Sequence, residues 1–156
     1  MKKLFLAVMA IVALCACKGE REYLDFRGLS LGMSAKAMCD SLLLRGFELD
    51  SNLTDETVFI LKNAVEQCRV DISMHNDTIS DVLESYEASY NDSTAGIYRE
   101  RHKEFTDLYG WSGMKHDSEL HREAVFQVGD KGGLVLTLLN TYTPTVTIHY
   151  SVHPLK

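Results

Sequence analysis

The chain has 156 residues, 46% of them hydrophobic, and a formal charge of −6. That mixture excludes a disordered polymer, a multi-pass membrane protein and a string of several large domains. An anionic protein also lacks the basic surface that neutralises phosphates, so nucleic acid is not an expected partner.

The hydrophobicity is concentrated at the start: fourteen of the first sixteen residues are apolar, and the other two are Lys2 and Lys3. Lys2-Lys3 form a cationic n-region and Leu4 to about Leu14 an apolar h-region, the order of a signal peptide over residues 1–16. A spanning helix needs roughly 20 apolar residues, and Lys18-Gly19-Glu20 ends this run too early. Without residues 1–16, 14 Lys and Arg stand against 22 Asp and Glu, a balance of −8. Residues 17–22 then read as a charged tether, and residues 23–156 as a single α+β domain.

Within that domain a short strand is expected around Leu24–Phe26. Ser34 supplies an N-cap for a helix that ends near Arg45, with Gly46 where a left-handed residue is needed. Strands follow over Thr57–Leu61, Val65–Met74 and Thr78–Tyr86. Asn63-Ala64 and His75-Asn76-Asp77 mark the turns between them. Asn91-Asp92-Ser93 offers cap chemistry for a second helix from Thr94 to about Tyr109, in which Ile97, Arg101, Phe105 and Leu108 share a side. Gly110-Trp111 then echoes Gly46-Phe47. After a flexible stretch from Ser112 to Glu119, strands are expected over Leu120–Val128, Leu134–Asn140 and Thr145–Val152. In the last of these, Val146, Ile148, Tyr150 and Val152 face inward and Thr145, Thr147, His149 and Ser151 face out. The predicted fold is therefore a helix plus three-strand antiparallel meander occurring twice, with helices packed on antiparallel sheet. Its pseudo-repeat halves are about 34–88 and 93–152, each too small to stand alone.

Several motifs resemble those of known families. Leu14-Cys15-Ala16-Cys17 resembles a bacterial lipobox, with an aliphatic residue three before the Cys and a small one directly before it. Val12-Ala13-Leu14-Cys15 offers a second register, but Leu14 is bulky for the position before cleavage. The resemblance implies that Cys17 becomes the mature N-terminus and carries acyl chains on its sulfur and amine. Each buried CH₂ of those chains contributes about 0.8 kcal/mol of anchoring. The implied location is the bacterial cell envelope, and Lys18 in the second mature position is similar to the residues that allow export to the outer membrane. Phe26-Arg27-Gly28-Leu29-Ser30-Leu31-Gly32-Met33-Ser34, with Arg45-Gly46-Phe47 after the helix, resembles the opening of small Bacteroidetes lipoproteins of unassigned function. Leu31-Gly32-Met33-Ser34 is also similar to the helix start of the SmpA/OmlA outer-membrane lipoproteins. That likeness implies a β-lactamase-inhibitor-protein-like shape and a role on a membrane, on its periplasmic or outer face. Asp77-Thr78-Ile79 and Asp92-Ser93-Thr94 resemble the O-glycosylation pattern of Bacteroidetes, making Thr78 and Ser93 candidates for it.

For chemistry the sequence offers little. Cys39 and Cys68 either close a disulfide around a loop of about 30 residues, contributing roughly 3.5 kcal/mol, or stay as buried thiols. His116 and His121 flank a loop and could approach each other, but no Cys or carboxylate completes a recognisable zinc ligand set with them, so no metal and no cofactor is expected. Gly110-Trp111-Ser112-Gly113 lacks the strand that must precede a nucleophile elbow. Arg99, Arg101, His102 and Lys103 read as a solvated helix face. No enzyme is expected: the favoured function is a non-catalytic binding or assembly module with a protein partner. Trp111, Tyr109 and Tyr142 are its candidate contacts, because Trp and Tyr are frequent interface anchors. The alternatives are an inhibitor of an envelope enzyme, on fold analogy alone, and a small hydrolase or redox enzyme using His116/His121 or Cys39/Cys68.

Overall fold

The structure is a computed structural model and describes residues 23–87 and 91–155. The expected signal peptide, Cys17 and the expected tether lie outside the described residues.

The chain enters through a two-residue hairpin, β1 (Asp25–Phe26) and β2 (Leu29–Ser30). Arg27 and Gly28 both have positive φ, 52° and 75°, the combination that matches a tight turn to the twist of its strands. Helix α1 (Ala35–Leu43) starts at Ser34, whose Oγ accepts from the Ala37 amide. It ends at Gly46, φ 86°: the Phe47 amide reaches Leu42 O at 3.2 Å and the Gly46 amide reaches Leu43 O at 3.2 Å. That paired capping satisfies the last carbonyls and turns Phe47 into the core.

The strands β3 (Glu48–Leu49), β4 (Val58–Asn63), β5 (Cys68–His75) and β6 (Thr78–Glu87) follow as a meander. Asn76 and Asp77, both at positive φ, turn β5 into β6. This hairpin tip also serves α1, for Asp77 accepts the Ala35 amide on its carbonyl and the Lys36 amide on its carboxylate. Helix α2 (Asn91–Tyr109) starts three residues before the expected Thr94, so Asn91-Asp92-Ser93 form its first turn rather than its cap, and it stops at Gly110, φ 88°. The strands β7 (Gly113–Asp117), β8 (His121–Gln127), β9 (Gly133–Leu139) and β10 (Thr145–Ser151) complete the chain.

The expected pair of helix-plus-three-strand meanders is overturned. Ser112–Glu119, expected to be flexible, carries β7, and Glu48–Leu49 pairs with β4 as β3. All eight strands from β3 to β10 join in one antiparallel sheet, ordered β3-β4-β5-β6-β10-β9-β8-β7. The molecule is thus dominated by sheet, with two helices among the described residues. The physical reason lies at the middle. Two separate meanders would leave the edges of β6 and β10 unpaired, whereas here they exchange ladder bonds over seven residue pairs, from Thr145↔Glu87 to Ser151↔Asp81. β5 also starts later than expected, because Val65 is exposed in the turn before it.

Register assigns each side chain to a face. Leu61, Val70, Glu84, Ile148, Leu136, Ala124 and Met114 form one cross-strand row on the helix-covered face. Ala35, Met38, Cys39 and Leu42 of α1 and Tyr98 and Phe105 of α2 bury against that face in a single core. The opposite face, with Ile60, Asp71, Leu83, His149, Val135 and Val125 in the corresponding row, has no helix over it among the described residues.

Candidate functional site

Two polar clusters lie on the helix-covered face. The first surrounds Glu84, in the inward phase of β6 and fully buried. Arg27, delivered by the β1–β2 turn, donates from Nε to Glu84 Oε1 at 2.7 Å and faces Glu66 Oε2 at 2.7 Å. Tyr86 donates to Glu84 Oε1 at 2.8 Å and accepts from Arg101 Nη2 of α2 at 3.0 Å. Burial lowers the Arg27 pKa, but the Glu66 and Glu84 carboxylates more than offset it and leave the guanidinium above its ordinary value. Burial and the neighbouring Glu84 push Tyr86 up to about 12. Every charge here has a counter-charge, so the cluster holds hairpin and helix to the sheet. Arg101 belongs to it, and only its neighbours Arg99 and Lys103 are exposed as a solvated face should be.

Cys68 sits at the margin of this cluster, its Sγ 3.7 Å from Arg27 Nη2. Cys39 and Cys68 are both buried free thiols. Burial, opposed by Arg27 and reinforced by Glu84 and Glu66, pushes Cys68 up to about 11. Cys39 is raised too, first by burial and then by Asp40. Neither thiol has the depressed pKa of a nucleophile.

The second cluster lines a cleft of about 310 Å³ between α2 and the β7–β8 hairpin. Gly110 ends α2 and releases Trp111, 87% exposed, at its mouth. Behind it Tyr98 stacks on His102 at a ring-centroid distance of 6.0 Å, and His102 meets Phe126 edge-on at 5.6 Å. Three cations, Arg99, Lys103 and Arg122, share the lining with one acid, Asp117. Arg122 occupies the inward phase of β8, where Ala124 and Phe126 enter the core. Its Nε is buried and has no hydrogen-bond partner among the described residues. Asp117 comes closest, at 3.7 Å, beyond hydrogen-bond length. The hydroxyl of Tyr98, a residue 5% exposed, is also buried without a partner among the described residues. Burial raises its pKa despite nearby Arg122, so it stands as a neutral O–H donor. Two buried donors without acceptors, in a cationic setting, make a pocket complementary to an anion. His102 Nε2 and Ser112 Oγ are 3.1 Å apart in the same lining, with Ser112 only 1% exposed.

The three aromatic candidates do not share a site. Trp111 borders the cationic cleft. Tyr109 is half-buried against Phe105 and lines a different hollow, with Arg27, Arg101 and Tyr150. Tyr142 stands fully exposed in the β9–β10 turn. Thr78 and Ser93 are both exposed. Sequence reasoning placed Tyr98 and His102 on α2 but missed Arg122. Its signal was available: a cation in phase with Ala124 and Phe126 must lie on the face of the sheet that enters the core.

No family model, no characterised protein and no solved structure matches this chain.

Proposed function

We propose that this is a lipid-anchored lipoprotein of the bacterial cell envelope, held through Cys17 in the outer membrane. In this reading it acts without catalysis, holding an acidic segment of a protein partner in the cleft beside Trp111. The observation that carries the reading is the pair of buried donors, Tyr98 Oη and Arg122 Nε, without acceptors in a cationic cleft. A carboxylate supplies the kind of acceptor these two donors lack, and its charge complements Arg99, Lys103 and Arg122. The exposed indole of Trp111 covers the apolar stem of such a side chain. A volume of about 310 Å³ suits a few side chains rather than a folded domain. The Ser112–His102 pair does not favour hydrolysis, because no carboxylate among the described residues orients the imidazole.

Trp111 is the single tryptophan in the sequence, so its emission reports on the cleft directly. A short peptide alternating Glu and Leu is expected to shift that emission saturably, with weakening at high salt. The same peptide with Lys for Glu is expected to leave it unchanged. A hydrogen bond to a charged group contributes about 1.5–3 kcal/mol, so Arg122→Gln should weaken binding by roughly tenfold to a hundredfold. Tyr142→Ala should not change it. An equal response to the Lys peptide, or full affinity in Arg122→Gln, would remove the cleft from consideration. In parallel, Cys17→Ser should move the protein from the membrane fraction to the soluble one; retention on the membrane would refute the anchor.

A further inference from the structure

The β7–β8 hairpin carries a second cluster on its other side, facing the uncovered surface of the sheet. His116 pairs directly with Glu123 across the two strands. His121 lies two residues before Glu123 on β8 and therefore on the same face. The register shifts between Met114 and His116, and a bulge of this kind re-aims the side chain that follows it. Ser118 ties the turn shut: its amide reaches His121 O at 2.9 Å, and its Oγ accepts from the His121 amide at 3.0 Å. The two imidazoles stack with centroids 4.3 Å apart, and His121 Nε2 is 3.8 Å from Glu123 Oε2. One ligand atom from each of His116, His121 and Glu123 lies within 4.8 Å of the other two.

We infer that this hairpin is a binding site for a divalent late transition-metal cation, of which Zn²⁺ is the representative. Two imidazole nitrogens and one carboxylate oxygen are the donor set such ions prefer, whereas Ca²⁺ and Mg²⁺ take oxygen ligands. Tetrahedral bonds of about 2.0–2.2 Å place ligand atoms roughly 3.3–3.6 Å from one another, so from within 4.8 Å the cluster closes by about 1.5 Å at most around the ion. His116 is exposed on the edge strand β7 and turns without disturbing the core. Lys115 Nζ, 3.9 Å from Glu123 Oε1, is the counter-charge the metal displaces. Three protein ligands leave a fourth position for water or for a donor from a partner. The site is independent of the acidic-peptide cleft, since Met114 and Arg122 of that cleft point to the opposite face.

The test uses the untagged full-length protein purified in detergent and titrated with Zn²⁺ against a chromophoric chelator, with Co²⁺ as the spectroscopic probe. One equivalent is expected to bind with a micromolar Kd. Co²⁺ should give tetrahedral d–d absorption without a thiolate-to-metal band, because neither buried cysteine takes part. His116→Ala, His121→Ala and Glu123→Gln should each weaken binding at least tenfold. His149→Ala and His153→Ala should leave it unchanged, and circular dichroism should show all five variants folded. Failure of the wild-type protein to bind one equivalent of Zn²⁺, or unchanged affinity in the His116→Ala/His121→Ala double variant, overturns the assignment.

Discussion

At the residue scale, the largest single stake is the buried carboxylate of Glu84. An ion taken out of water loses several kcal/mol of hydration, recovered only while its partners stay in place. Arg27→Met removes the nearest cation and leaves Glu84 with Arg101, 3.9 Å away, and the Tyr86 hydroxyl. Such a truncation is expected to cost about 3–5 kcal/mol, measured as a fall in the urea midpoint at constant slope. Combining it with Glu84→Gln should recover part of the loss, since the orphaned charge disappears; a purely additive double variant would show that the pair is not coupled. Cys68 and Tyr86 make a second prediction. Burial raises them from ordinary values of 9.0 and 10.0 to about 11 and about 12. Between those limits the unfolded chain has released protons that the folded one retains, so unfolding is favoured. Stability is therefore fully present below about pH 9 and is lost as pH rises from about 9 to 12. A Tm that stays flat across that window would contradict the burial of both groups.

At the element scale, local signals placed the helices and most turns. Ser34, Gly46, Gly110 and Asn76-Asp77 each do the conformational task their chemistry suggests, because capping and positive φ are decided within a few residues. β7 escaped notice because all five of its residues are exposed: an edge strand without a buried phase shows no hydrophobic alternation, and only its ladder to β8 makes it a strand. The turn from β8 to β9 depends on a close approach as well as on local chemistry. Gly132 has φ 112°, and a Cβ there would collide with Ser151 O on β10. Gly132→Ala therefore combines an unfavourable dihedral with a backbone clash. The variant is expected to lose at least 2–3 kcal/mol, read by thermal or chemical denaturation; wild-type stability would mean that the β9–β10 edge gives way easily.

At the scale of the whole molecule, the decisive contact is the β6–β10 ladder. It merges the two halves into one sheet and gives them one core, with Phe26, from the first half, edge-on to Tyr150 of β10 at 5.3 Å. A fragment of residues 93–156, or one ending at residue 88, would expose half of that core and an unpaired central strand. Neither fragment should give a cooperative unfolding transition, while mixing them is expected to restore one. A fragment that melts cooperatively by itself would argue for autonomous halves. The same merger creates the wide face of the sheet that no helix covers among the described residues, and on it His116, His121 and Glu123 meet.

What the sequence determined by itself are features encoded over short distances: the Ser34 cap and Gly46 stop of α1, the Gly110 stop of α2, the Asn76-Asp77 turn and the inward phase of strands such as Val146–Tyr150. Trp111 could be singled out from its place after a helix stop, though not its exposure. The tertiary structure decided everything that requires residues distant in sequence to meet. It paired Arg27 with Glu84, 57 positions apart. It placed Arg122 beside Tyr98 of α2, and it closed β6 on β10. Local propensity acts through a few dihedrals and neighbouring side chains, whereas strand order and buried charge pairing are settled by which faces exclude water together. No spacing along the chain records that choice.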